Sequence, residues 1–243
     1  MLPLPTSDLV RRPTFTVADF FLIVLGGLLG ALLGTVSIVF TESQGSVLVA
    51  GLLGQQLGHI AALAMVMRYR NARVEDLGLD ITPSDGIYVF VGLGLQLALL
   101  YLFLPLTSRF ADETGPQALT ELVPEVSGVA LQAAMVLSIA LLAPVVEEVM
   151  FRSVLSQAVG RRLGAVGTIL ATSGVFALFH LASVDLSSHP VIILTLMAQL
   201  FIVGAILARM VQRSGRLGSA IFTHAGFNLV AVIALLVAPE LAG

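Results

Sequence analysis

The sequence predicts an all-α, polytopic transmembrane helix bundle, and composition, the lengths of its apolar runs and the placement of its arginines predict it. Hydrophobic residues make up 57% of the 243 residues and charged ones 11%, with a mean hydropathy of +1.01. That leaves too little polar surface to coat a water-soluble globule of this size. Seven stretches approach the roughly 20 apolar residues that a helix needs to cross the hydrocarbon core. All twelve basic residues are arginine, and they gather in alternate connections. The absence of cysteine removes disulfides and thiolate metal sites.

The first expected span runs from Val17 to Phe40, behind Arg11 and Arg12. It is longer than the apolar region of a signal peptide and has no small-residue cleavage site, so it is read as a retained span. Within it, Gly26, Gly30 and Gly34 fall on one helix face and form a packing surface for a neighbouring helix. The second span covers Val47 to Met67 and the third Gly86 to Leu106. The connection between them, Asn71 to Asp80, mixes charge with Val74, Leu77 and Leu79 and is expected along the membrane surface. The acidic stretch from Thr107 to Ser127, with Asp112, Glu113, Glu121 and Glu125, reads as a solvated loop. The remaining spans are Gly128 to Val149, Gly164 to Ala182, Val191 to Ala208 and Leu217 to Val237.

Ten arginines lie in the N-terminus and every second connection: Arg11 and Arg12; Arg68, Arg70 and Arg73; Arg161 and Arg162; Arg209, Arg213 and Arg216. The opposite side carries only Arg109. The positive-inside rule then places the N-terminus in the cytoplasm and, with an odd number of spans, the C-terminus outside. No repeat or linker divides the chain, so residues 1–243 are expected to form a single transmembrane domain.

Ionisable groups inside spans are costly and usually face the bundle interior or a water-filled cavity. Glu147 and Glu148 are adjacent, but only Glu148 stands four residues before Arg152, the favourable order for an ion pair on one helix face. Glu147 points about 100° away and is left without that cation, as a general base would be. Pro144 cannot donate a backbone hydrogen bond and should kink the helix beside the carboxylates. Phe176 and His180 are four apart on the fifth span, and His224 and Asn228 are four apart on the seventh. At 1.5 Å per residue, Glu147 lies about 21 Å from Arg161, His180 about 27 Å from Arg162 and His224 about 12 Å from Arg216. These groups can therefore meet at one depth. Each histidine taken singly reads as an interhelical hydrogen-bonder; with the glutamate and asparagine they read as a shared site. His59, beside Gln55 and Gln56, is expected to be interhelical polar glue, and His189 to be solvated.

The ordered motifs EExxxR at Glu147 to Arg152, FxxxH at Phe176 to His180 and HxxxN at His224 to Asn228 give the chain its resemblance to a known family. It resembles the CPBP family, the CAAX protease and bacteriocin-processing or Abi proteins. The motifs cover Leu141 to Leu229, within a motif-bearing core of about residues 128–238; the first three spans match in hydrophobic character and in EDLGLD. The resemblance implies an intramembrane endopeptidase in which Glu147 and His180 activate a water while His224 and Asn228 hold the oxyanion. Glu148 and Arg152 would form a structural ion pair near the site.

No metal is favoured, since the chain lacks the HExxH spacing of zinc peptidases. The alternative is Zn2+ held by Glu147, His180 and His224. The expected partners are a peptide or membrane-protein substrate and the lipid bilayer, with no nucleic acid. The expected location is a bacterial cytoplasmic membrane. The competing functional reading is a non-catalytic scaffold or bacteriocin self-immunity protein of the same family. A proton-coupled transporter would show inverted repeats, which the sequence lacks.

Overall fold

The computed structural model describes residues 15–38, 43–113, 123–184 and 186–237. Among these the chain is helical throughout its apolar runs. We label the α-helices α1 (Val17–Ile38), α2 (Gln44–Arg70), α3 (Tyr88–Thr107), α4 (Val129–Leu137), α5 (Ala143–Glu148), α6 (Ser156–Phe179), α7 (Pro190–Ser214) and α8 (Gly218–Val237). Two π-helical turns, Ser138–Leu142 and Val149–Leu155, join α4, α5 and α6 into one run. Short 3-10 turns fill several connections.

Among the described residues, five helices are long and apolar enough to cross a membrane, and a further apolar helix, Gly218–Ala234, is shorter. The longest of the five, Val129–Phe179, spans 51 residues and contains a break at Gly164, where φ is 64° and ψ −175°. Glycine reaches such a backbone conformation without a Cβ penalty. The chain reverses there, as Phe151 and Phe176 show: their ring centroids are 5.2 Å apart, whereas 25 residues of straight helix would separate them by about 38 Å. The two arms correspond to the fourth and fifth expected spans. The stretch after Val149, expected as a connection, instead continues the helix to the Gly164 break. This keeps the glutamates well inside the helix.

The small-residue face of α1 packs as expected, against small residues of α2. A Cβ on Gly30 would overlap the carbonyl of Gly54, and one on Gly26 would overlap Ala62. The two backbones therefore approach closely enough that only glycine fits. Asp19 and Arg70 pair at the ends of this hairpin at 2.9 Å. The opposite face of α1, including Leu25, Leu29, Leu32 and Leu33, is exposed, as a face turned to lipid would be.

Two expectations are corrected here. His59 is buried over Gly27, where a Cβ would collide with its ring, and neither ring nitrogen has a hydrogen-bond partner among the described residues. It fills the space beside a glycine and is not polar glue. His189 is half-buried: it stacks on Phe110 with ring centroids 4.1 Å apart, and its Nδ1 caps α7 by accepting from the Val191 N–H. The Asn71–Asp80 connection is also tied to the bundle. Leu77 is buried in the core, the Leu217 N–H donates to Gly78 O at 2.9 Å and Gln157 donates to Asp76 O at 3.0 Å. Arg11 and Arg12 lie outside the described residues.

The main core cluster surrounds the second π-turn. Phe20 and Ile23 of α1, Val146 of α5, Met150, Phe151 and Val154 of the turn, Phe176 of α6 and Ile221 of α8 are all buried in it. This packing of four helices fixes the rotation of the segment that carries both glutamates.

Candidate active site

A single turn, α5, carries Glu147 and Glu148 and lies between the two π-turns. In the first of these the Ala143 N–H reaches back five residues to Ser138 O. The next bond of that pattern would run from residue 144 to Ile139 O, but residue 144 is proline and has no N–H. The freed Ile139 carbonyl takes its hydrogen bond from elsewhere: Asn228 Nδ2 donates to it at 3.0 Å. A π-turn therefore stands next to Pro144, with an orphaned carbonyl that ties α8 to this helix. No other helical residue than Gly164 departs from helical φ and ψ between Val129 and Phe179.

Glu148 is fully buried. Its Oε2 lies 3.3 Å from Arg152 Nε, the expected pair, although the two atoms are misaligned for a hydrogen bond. Its Oε1 lies 3.0 Å from His224 Nδ1. That second partner is 76 residues away and could not be read from helical spacing. A carboxylate held by an arginine can only accept, so Nδ1 of His224 carries the proton and donates. The other ring nitrogen, Nε2, then faces Glu147 Oε2 at 3.7 Å.

His180 is placed by a related device. At the end of α6 the backbone tightens into a 3-10 turn, and the His180 N–H bonds to Ala177 O and Leu178 O. This releases Phe176 O from its usual helical partner, and His180 Nδ1 meets it at 2.8 Å. A carbonyl accepts only, so Nδ1 is again the protonated nitrogen and Nε2 faces Glu147 Oε2, at 3.8 Å.

Phe176 is the hub of the site. Its ring lies 4.6 Å from that of His180, 5.6 Å from His224 and 5.2 Å from Phe151, and the Arg152 guanidinium carbon stands 5.1 Å from its centroid. It packs among three polar side chains, His180, His224 and Arg152.

Glu147 differs from its neighbour. It is 13% exposed, and its Oε2 has no hydrogen-bond partner among the described residues. It lines a cavity of about 430 Å³ together with His180, His224 and Asn228. All four residues expected in a shared site therefore meet at one cavity. Gln55, Gln56 and Ser138 also line it, and the Ser138 hydroxyl is buried without a partner. The sequence signalled the glutamines only as polar residues in an apolar span, and gave no signal for Ser138.

The donor types that would hold zinc are present, since both histidines have Nδ1 occupied and turn Nε2 toward Glu147. Their spacing does not suit an ion as placed: among the described residues no three His, Asp or Glu groups form a cluster that could hold a metal.

A family model described as "Rce1-like: Type II CAAX prenyl endopeptidase Rce1-like" matches residues 129–230, which include every residue of the three motifs. Residues 129–230 are thus similar to the CAAX protease family. The matched CAAX-protease segment begins with α4 and ends within α8, so α1 to α3 lie outside it. No curated protein and no solved structure gives a significant match to the chain. The apolar helices and this match together support an integral membrane protein.

Proposed function

We propose that the protein is an intramembrane endopeptidase in which Glu147 is the general base. The observation that carries this reading is the placement of Glu147 Oε2. It faces two histidine Nε2 atoms at 3.8 and 3.7 Å and takes no hydrogen bond of its own, at the wall of a cavity. A water about 2.8 Å from both Glu147 Oε2 and His180 Nε2 would donate one hydrogen to each. Glu147 takes one proton as the water oxygen attacks the peptide carbonyl carbon, and later passes it to the departing amine as the C–N bond breaks. The second N–H of Asn228 Nδ2 and Nε2–H of His224 donate to the developing oxyanion. For His224 to donate there while Nδ1 donates to Glu148, the ring must carry both protons. Two carboxylates then face two cations, the imidazolium and Arg152.

The family description makes a prenylated CAAX peptide the first substrate to offer. The proposed setting is a bacterial cytoplasmic membrane with the arginine-rich connections in the cytoplasm. Zn2+ on Glu147, His180 and His224 is the second reading: the two Nε2 atoms share an orientation toward Glu147, but their spacing as placed does not suit an ion.

The test uses detergent-purified protein. Glu147→Gln keeps the side-chain shape but cannot take the proton, and is expected to lose hydrolysis while unfolding at the wild-type temperature. Wild type is expected to stay active after exhaustive chelation. Cleavage by Glu147→Gln at the wild-type rate would refute the base. One equivalent of zinc, with activity lost on its removal and restored on its return, selects the metal reading. A folded wild type that hydrolyses no prenylated peptide selects the non-catalytic scaffold.

A further inference from the structure

The Glu147 cavity has one wall outside the residues that the family model matches. Helix α2, which packs against α4 and the first π-turn, supplies it through Leu52, Gln55 and Gln56. Three and four residues apart, these side chains share one face of α2. Gln55 also stands at the depth of Glu147. At 1.5 Å per residue it lies about 22 Å from Arg70 at the end of α2, and Glu147 about 21 Å from Arg161.

Gln55 is the group in this wall without an internal task. It is half-buried, and its carboxamide makes no hydrogen bond with another described residue. Gln56 Oε1 and Ser138 Oγ on the same cavity are buried, whereas Oε1 and Nε2 of Gln55 both remain accessible. A polar side chain within an apolar span carries a desolvation cost that a hydrogen bond must offset. The bundle offers Gln55 no such bond, so its partner is one that enters the cavity.

A peptide in this cavity has the complementary deficit. Its main-chain N–H and C=O groups leave water, and each needs a partner. Glu147, His180, His224 and Asn228 are committed to the water and the oxyanion, and Leu28, Phe179 and Leu200 make other parts of the wall apolar. In an extended chain the N–H and C=O of one residue point to the same side. A carboxamide matches that pair, with Oε1 accepting from the N–H and Nε2 donating to the C=O.

We propose that Gln55 binds the main chain of the substrate peptide, held extended near the scissile bond, through these two hydrogen bonds. Because the contact is with backbone, it contributes affinity without selecting among side chains. The proposal rests on reading the Glu147 cavity as a peptidase site.

The test is binding of a fluorescein-labelled, S-farnesyl CAAX peptide to the full chain in detergent, in the Glu147→Gln background, with product followed in the same samples. A wrong general base then shows as cleavage, and a wrong role for Gln55 as unchanged affinity. Gln55→Met keeps an unbranched side chain of similar size and removes both hydrogen bonds. It is expected to weaken binding about tenfold and to unfold at no lower temperature, since no internal bond is lost. A second measurement uses ester analogues of the peptide, in which oxygen replaces each backbone N–H in turn. One ester position should weaken binding about fivefold when Gln55 is present and have no effect on Gln55→Met. The proposal is overturned if Gln55→Met binds as tightly as the protein with Gln55, if it unfolds well below it, if every ester costs the same in both proteins, or if the peptide binds neither.

Discussion

Replacing Asn228 by alanine tests whether that side chain serves the helix, the chemistry or both, because Pro144 allows the two roles to be separated. Asn228 Nδ2 donates to the Ile139 carbonyl at 3.0 Å, the acceptor left over because residue 144 has no N–H. Leaving a buried acceptor unsatisfied costs about 1–3 kcal/mol. Asn228 is half-buried, which puts the expected loss near the lower end, at about 1–2 kcal/mol. Losing one oxyanion donor lowers the rate by about a hundred- to a thousandfold. In the double variant Pro144→Ala/Asn228→Ala, residue 144 regains an N–H that can reach Ile139 O in the five-residue pattern already made by Ala143. The double variant should therefore recover about 1 kcal/mol relative to Asn228→Ala while remaining as slow. The assays are unfolding in detergent and kcat/KM on a prenylated peptide that the wild type cleaves. A double variant no more stable than Asn228→Ala refutes the orphaned-carbonyl argument. One that regains wild-type activity refutes the direct role of Asn228 in the oxyanion site.

Further outcomes follow from the same geometry. Glu148→Gln leaves Arg152 buried without its counter-charge and should destabilise by about 3–5 kcal/mol, whereas Glu148→Leu/Arg152→Leu should recover most of that loss; unfolding measurements on the three proteins decide it, and a single variant as stable as wild type contradicts the pairing. Gly30→Leu forces a side chain into the Gly54 carbonyl and should cost about 1–3 kcal/mol or more, while Leu29→Ala on the exposed face serves as a nearly silent control in the same melt. A topology reporter fused behind α8 should be active only outside the cytoplasm, given ten arginines on one side and one on the other; a reporter active only in the cytoplasm overturns the orientation.

Local periodicity made part of this protein legible from its sequence. The apolar run lengths placed the helices, Gly26, Gly30 and Gly34 marked the contact face of α1, and the four-residue step from Glu148 to Arg152 was enough to pair them. The motif order picked out the segment that the CAAX-protease family model matches, and helical angle separated Glu147 from Glu148. What lay beyond reach depends on helix rotation and on contacts between distant segments. Glu148 reaches His224 across 76 residues and Asn228 reaches Ile139 across 89, and no spacing rule spans such separations. The same limit explains His59, whose ring fills space over Gly27 only because the glycine faces of α1 and α2 meet. It also explains the Ile139 carbonyl. A proline withdraws one donor, but which group replaces it depends on the helix packed alongside, and α8 does so through Asn228. Sequence determined which groups are available on each helix. Tertiary packing decided which of them share a hydrogen bond, because a partner's direction is set by the rotation of two helices and not by the order of residues along one.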